Sequence, residues 1–229
     1  MTAANSPIRP ALFEFLSDLQ QHNHRDWFAE NRQRYEQDVR EPVVQWLQQW
    51  VTPLARSAPF LSVVPTKSRG SLMRIHRDTR FSRDKTPYKT NVGISLRHQG
   101  DGDIHGPGVY VHLAPEECFV GAGCWRPDRE VLRAIRNAID DDPKAWKRSQ
   151  GSKFRQYFEL AGDQLKTSPR DYPKDHPMIE DLRRTDFIGV AMLTREDVLA
   201  DDATDRVIER IRAARPFIRF LCDAVDLPY

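Results

Sequence analysis

The chain has 229 residues, of which 30% are charged and 39% hydrophobic, with a formal net charge of +2. This composition excludes a collagen-like repeat, a coiled-coil rod and a disordered chain, and the near-neutral balance argues against a protein that coats nucleic acid non-specifically. The longest apolar run, Phe187 to Leu193, has seven residues, far short of the ~18 that a membrane span needs.

Residues 10–21 place Leu12, Phe15, Leu16 and Leu19 at helical spacing, with Pro10 in the first turn where it is tolerated. A longer helix is predicted from Asn23 or His24, either of which can cap it ahead of Asp26. It runs through Trp27, Asn31 and Tyr35, breaks at Pro42, resumes through Trp46, Leu47 and Trp50, and is closed by Pro53 and Pro59. Short strands follow at Phe60–Pro65, Ser71–Arg77, Asn91–Arg97, Val109–Leu113 and Cys118–Ala122, with tight connections that favour antiparallel pairing. A glycine-rich loop, HQGDGDIHGPG, separates the third from the fourth. From Pro127 the period is helical again, with Val131, Leu132, Ile135 and Ile139 as the buried stripe. One or two short helices are expected over 143–160, a surface loop over 165–178 and a strand over 187–193. Thr194 to Asp197 has the form of a capping box, and the last helix spans 203–222 with a kink at Pro216. The expected fold is α+β: a central antiparallel sheet of about five or six strands flanked by N-terminal and C-terminal helices. A single domain over 1–229 is expected, with a helical part at 10–52, the sheet with a basic motif at 60–123, and a helical part with one added strand at 127–222. The start, MTAANSPIRP, lacks the apolar core of a signal peptide, and three cysteines are few and odd in number, so the expected compartment is the cytoplasm.

The charge is uneven. Between Thr66 and His98 nine Lys or Arg stand against two acids, Asp78 and Asp84, so this block carries +7 and the rest of the chain −5. Such a concentration attracts anions. Within it, Arg74, Arg77 and Arg80 offer guanidinium forks suited to phosphate or carboxylate, Asp78 and Asp84 can orient those forks, and Lys85, Lys89 and Tyr88 can complete the wall. The residue types describe a pocket for an anionic small molecule. They also describe an internal Arg–Asp network that only holds the loop, or a basic surface for an acidic protein. Nucleic acid is the less expected partner, and no Gly-rich phosphate loop accompanies the block.

The combination of NHRDWF near the start, RIHRDTRFSRDKTPYKT in the middle and GVYVHLAPEECFVGAGCWRP after it resembles the bacterial and fungal family of domain of unknown function 2461, over nearly the whole chain. Trp27, Phe28, Arg74, Arg77, Asp78, Arg80, Phe81, Asp84, Lys85, Pro87, Tyr88, Lys89, Tyr110, Gly121 and Gly123 match the family pattern; His76 is not among them. The resemblance implies where a site lies and names neither a reaction nor a cofactor.

Trp27, Tyr110, Gly121 and Gly123 are the candidate pocket wall. If Ser71–Arg77 neighbours the Tyr110 strand, alternation sets Arg74, His76, Tyr110 and His112 on one surface, which makes His112 and His76 the candidate acid–base groups. The favoured alternative for His112 is a hydrogen-bonded side chain on a half-covered sheet. His105, His112, Cys118 and Cys124 fall within twenty residues but in no zinc-ligand spacing, so no metal is expected.

Overall fold

The amphipathic stripe at the N-terminus forms as expected in the computed structural model, which describes residues 6–100 and 106–229. Helix α1 (Pro10–Gln21) buries Leu12, Phe15, Leu16 and Leu19. Helix α2 (Arg25–Glu30) is capped by His24, whose Nδ1 accepts from the Trp27 N–H at 3.3 Å. Helix α3 (Arg32–Tyr35) follows at once and opens into a π-turn, Glu36–Arg40, that feeds α4 (Glu41–Ser57). A regular turn there would set the Pro42 ring against the Asp38 carbonyl, and the π-turn takes up that conflict without ending the helix. Pro53 does not close α4 either. The helix continues to Ser57 because Leu54, one residue on, is fully buried and tertiary packing outweighs the lost backbone bond.

Among the described residues six strands form one antiparallel sheet: β1 (Leu61–Ser62), β2 (Val92–His98), β3 (Gly108–Leu113), β4 (Cys118–Cys124), β5 (Glu159–Ala161) and β6 (Phe187–Leu193), in the order β1-β2-β3-β4-β6-β5. The predicted strand Ser71–Arg77 is not one. It touches β2 through the bridge Leu72–Ile94 and, further on, pairs with its own return at His76–Tyr88. The edge of β2 opposite β3 is shared: β1 takes His98 and Arg97, and the segment around Leu72 takes Ile94, so neither extends into a full strand. The strand expected over Phe60–Pro65 shrinks to β1 for the same reason. Residues 101–105 of the glycine-rich loop lie outside the described part.

The C-terminal half carries α5 (Arg129–Asp141), α6 (Pro143–Ser149), α7 (Ser152–Tyr157), α8 (Ile179–Leu182), α9 (Arg195–Leu199) and α10 (Ala203–Ala224). Asp128 caps α5, and Thr194 and Asp197 form the expected capping box of α9. Helix α10 runs through Pro216 and packs on β4 and on α4 to α7.

Register fixes two unlike sheet faces. On one, Val92, Ile94 and Leu96 oppose Leu113, Val111 and Val109, which oppose Cys118, Val120 and Ala122. All of these are buried under the helices in one core. On the other, two rows run across the strands: Gly93–His112–Phe119–Met192 and Ser95–Tyr110–Gly121–Val190–Glu159. Apart from Gly93, these residues remain half-buried or exposed. This second, open face is partly roofed by the basic segment.

That segment is pinned at Tyr88. Its ring stacks on Phe28 with centroids 4.1 Å apart. The Asn23 amide donates to the Tyr88 carbonyl at 2.9 Å and accepts from its N–H at 3.1 Å. Asn23→Ala removes both bonds and is expected to lower unfolding free energy by about 1–3 kcal/mol, read as a fall in the urea midpoint with an unchanged slope.

Candidate functional site

Over the open face lies a cavity of about 560 Å³, within the range of small-molecule sites. Its floor comes from the sheet: Tyr110, Phe119, Gly121, Ile188 and Val190, with Trp125 at one side. Its roof comes from the basic segment: Met73, Arg77, Asp78 and Lys89. The glycines shape it differently. A Cβ on Gly121 would meet nothing nearer than 3.7 Å, so this position opens directly into the cavity. Gly123 has φ +124, and a Cβ there would fall 2.0 Å from the Phe187 carbonyl, so it serves the backbone.

Lys89 is the distinctive cation of the roof. Among the described residues its ammonium has neither an acid nor a hydrogen-bond partner. Burial and then the nearby Arg74 charge lower its pKa from the ordinary lysine value. Tyr88 and Lys89 point to opposite sides of the chain, Tyr88 into the helices and Lys89 over the sheet.

Beside it a polar cluster closes one end of the floor. Asn91 Nδ2 donates to Tyr110 Oη at 3.3 Å, and Tyr110 Oη lies 3.2 Å from His112 Nδ1. Asn91 Nδ2 also lies 3.4 Å from His112 Nδ1, so the three side chains form one closed cluster in which the imidazole tautomer sets the direction of the Tyr110–His112 bond. His112 stacks on Phe119 at 4.8 Å, and burial lowers its pKa against the opposing pull of Glu117 and Glu116. Burial likewise raises the Tyr110 pKa, the Asn91 bond opposing. His112 itself stands behind Tyr110 and Phe119 and does not line the cavity.

The other sequence-derived residues divide. Arg77 also binds Asp84 and Thr86 Oγ1. Arg80 grips Asp78 with two donors, Nε at 3.0 Å and Nη2 at 2.7 Å, and Lys85 donates to the Thr79 carbonyl at 2.8 Å. These bonds fold residues 78–86 into a loop that holds Arg80 and Asp84 in ion pairs and whose Phe81 ring is 95% exposed. Arg74 and His76 line a separate groove on the helix side of the segment. The single surface expected of Arg74, His76, Tyr110 and His112 therefore does not form. Leu72 and Ile75 pack toward the core while Met73 and Arg77 face the open sheet, a spacing that no extended strand gives. Trp27 stacks on His22 at 5.9 Å and lines none of these hollows. Among the described residues no three of His, Cys, Asp and Glu converge to hold a metal ion; His105 lies outside them.

Sequence reasoning missed Met73, Asn91, Phe119, Trp125 and Val190. Phe119 was accessible to it, since it alternates with Gly121 and Gly123 on β4. Met73 was not, because its direction depends on the irregular path of the segment.

The chain belongs to the family of conserved hypothetical proteins called domain of unknown function 2461, whose family model matches residues 11–220. No curated protein and no solved structure matches it. Among the described residues no helix is long and apolar enough to cross a membrane.

The loop pairs set an acid limit. Hydrogen bonds from Arg80 hold the Asp78 carboxyl at about 2, and those from the Thr86 N–H and Arg77 hold Asp84 at about 2, both from an ordinary 3.8. Carboxyls depressed on folding contribute above the unfolded value and lose that contribution as pH falls through the folded one. Protection of the Thr86 amide in hydrogen exchange should therefore persist at pH 5 and disappear between about pH 4 and 2, while protection in the sheet core persists further down.

Proposed function

We propose that the open-face cavity binds a small anionic molecule with an apolar body, bearing a phosphate or a free carboxylate, with its charge at Lys89 and Arg77 and its body on Phe119, Val190 and Trp125. The observation that carries this reading is Lys89: a half-buried ammonium without an acid partner among the described residues, beside an apolar floor. Burying a cation without compensation opposes folding, and an incoming anion offsets that penalty. Tyr110, held through its hydroxyl by Asn91 and His112, gives the floor a ring of fixed position. Anion affinity should fall as pH rises through the lowered Lys89 pKa, because only the ammonium attracts the ligand.

A second reading concerns part of the basic block. The pairs Arg77–Asp84 and Arg80–Asp78 support a structural role for residues 78–86, with Arg77 serving both loop and cavity. The reading extends to one domain over 1–229, which the continuous core from Ile8 to Cys222 supports. It also extends to a cytoplasmic location, which three buried cysteines, none in a disulfide among the described residues, support.

The probe is 8-anilinonaphthalene-1-sulfonate, an aromatic anion that fluoresces in apolar sites. Saturable binding with one site is expected. Lys89→Met should weaken it about tenfold or more without lowering the melting temperature, since it removes a charge that burial disfavours. Gly121→Leu fills the floor and should abolish binding. Undiminished affinity in both folded variants would overturn the reading.

A further inference from the structure

On the helix side of the basic segment lies a groove of about 380 Å³ between α2, α3 and the π-turn on one wall and residues 67–76 on the other. Cations stand on both walls: Arg25, Arg32 and Arg40 on the helices, Lys67, Arg69 and Arg74 opposite. Arg40 pairs with Glu36 at 2.8 Å and Lys67 with Glu41 at 2.7 Å. Arg25, Arg32, Arg69 and Arg74 have no ion pair among the described residues. Arg74 acts on Asp78 only at a distance, and that carboxylate is held by Arg80.

Two features mark this as a built hollow rather than a solvated face. Arg40 Nε is buried without a hydrogen-bond partner, although the same guanidinium meets Glu36. Arg69 adopts φ +55, a left-handed conformation that is costly for a non-glycine residue. The turn enforces it: the Ser71 N–H donates to the Val64 carbonyl at 2.9 Å, and the Val64 N–H donates to Ser71 Oγ at 2.9 Å. At the neighbouring Gly70 a Cβ would lie 2.5 Å from the Val64 carbonyl. The turn so fixed holds Arg69 on the wall that faces α2 and α3.

We propose that this groove is a second anion site, separate from the open-face cavity, and that it takes a compact polyphosphate: two or three linked phosphoryl groups, free or as the end of a nucleotide. Arginines on two facing walls can bracket one multiply charged group, which a single carboxylate cannot satisfy. A nucleic-acid backbone would instead call for cations strung along one surface. The floor, with Phe28, Tyr35 and Tyr88, belongs to the core and is not available for stacking.

The test is calorimetric titration of the full chain with inorganic triphosphate, and with adenosine triphosphate in parallel. One-site binding is expected. Arg32→Ala should weaken it about tenfold or more. Arg69→Gly should weaken it similarly while keeping or raising the melting temperature, because glycine suits φ +55, so that loss cannot come from unfolding. Lys89→Met, on the other side of the segment but within reach of the Arg74 charge, should weaken triphosphate binding less than either arginine variant, and a greater loss would overturn a separate site. Equal affinity for the two probes would assign the site to the phosphate chain alone, and tighter adenosine triphosphate binding would assign it to a nucleotide; both uphold the proposal. Absence of binding, or affinity indifferent to both arginine variants, would overturn it. So would tighter binding of single-stranded RNA with a steep salt dependence, which would mark a nucleic-acid surface.

Discussion

The contact on which the rest depends is the hold on Tyr88. A polar stretch with eight cations between Thr66 and Thr90 would not lie against a protein by its own solubility; it meets β2 through one bridge and sets Leu72 and Ile75 against the core. What fixes it is one buried ring stacked on Phe28 and one asparagine side chain from the α1–α2 turn that mimics a strand partner for the Tyr88 backbone. Deleting a buried aromatic costs about 3–5 kcal/mol, far more than the ~0–1 kcal/mol that each exposed ion pair of the loop contributes. Once Tyr88 faces the helices, its neighbour Lys89 has to face the sheet.

From that single alternation come two hollows. The segment runs between the open face and the α2–α3 surface, and Met73 lines both sides. The charges sort with it. Acids in the loop neutralise Arg77 and Arg80 locally, so these cations stand in ion pairs of their own. Lys89 on one side and Arg25, Arg32, Arg69 and Arg74 on the other have no such partner among the described residues. Total charge therefore says little here; what matters is which cations the fold leaves without an acid.

Much of the fold was legible because burial imposes period. Val92, Ile94 and Leu96, Val109, Val111 and Leu113, and the apolar run of β6 each state their strand, and Thr194 with Asp197 states a helix start. Where the sequence misled, tertiary context had overridden a local rule. Ser71 to Arg77 alternates well enough for a strand, but the edge it needed is shared with β1. Pro53 signals an end that the burial of Leu54 outweighs, and β5 is three residues long with no pattern to find. The basic block was legible as a concentration of cations. Its division into a stapled loop, a roof over the sheet and a wall facing the helices was not, because composition cannot say which guanidinium meets which carboxylate.

The most direct measurement is the titration of Lys89 itself, followed by NMR after reductive methylation with carbon-13 formaldehyde. The account requires a pKa below that of the other lysines in the free protein and a rise toward the ordinary value when an anion occupies the open face. A Lys89 resonance that titrates with the exposed lysines, and does not respond to anions, would contradict it.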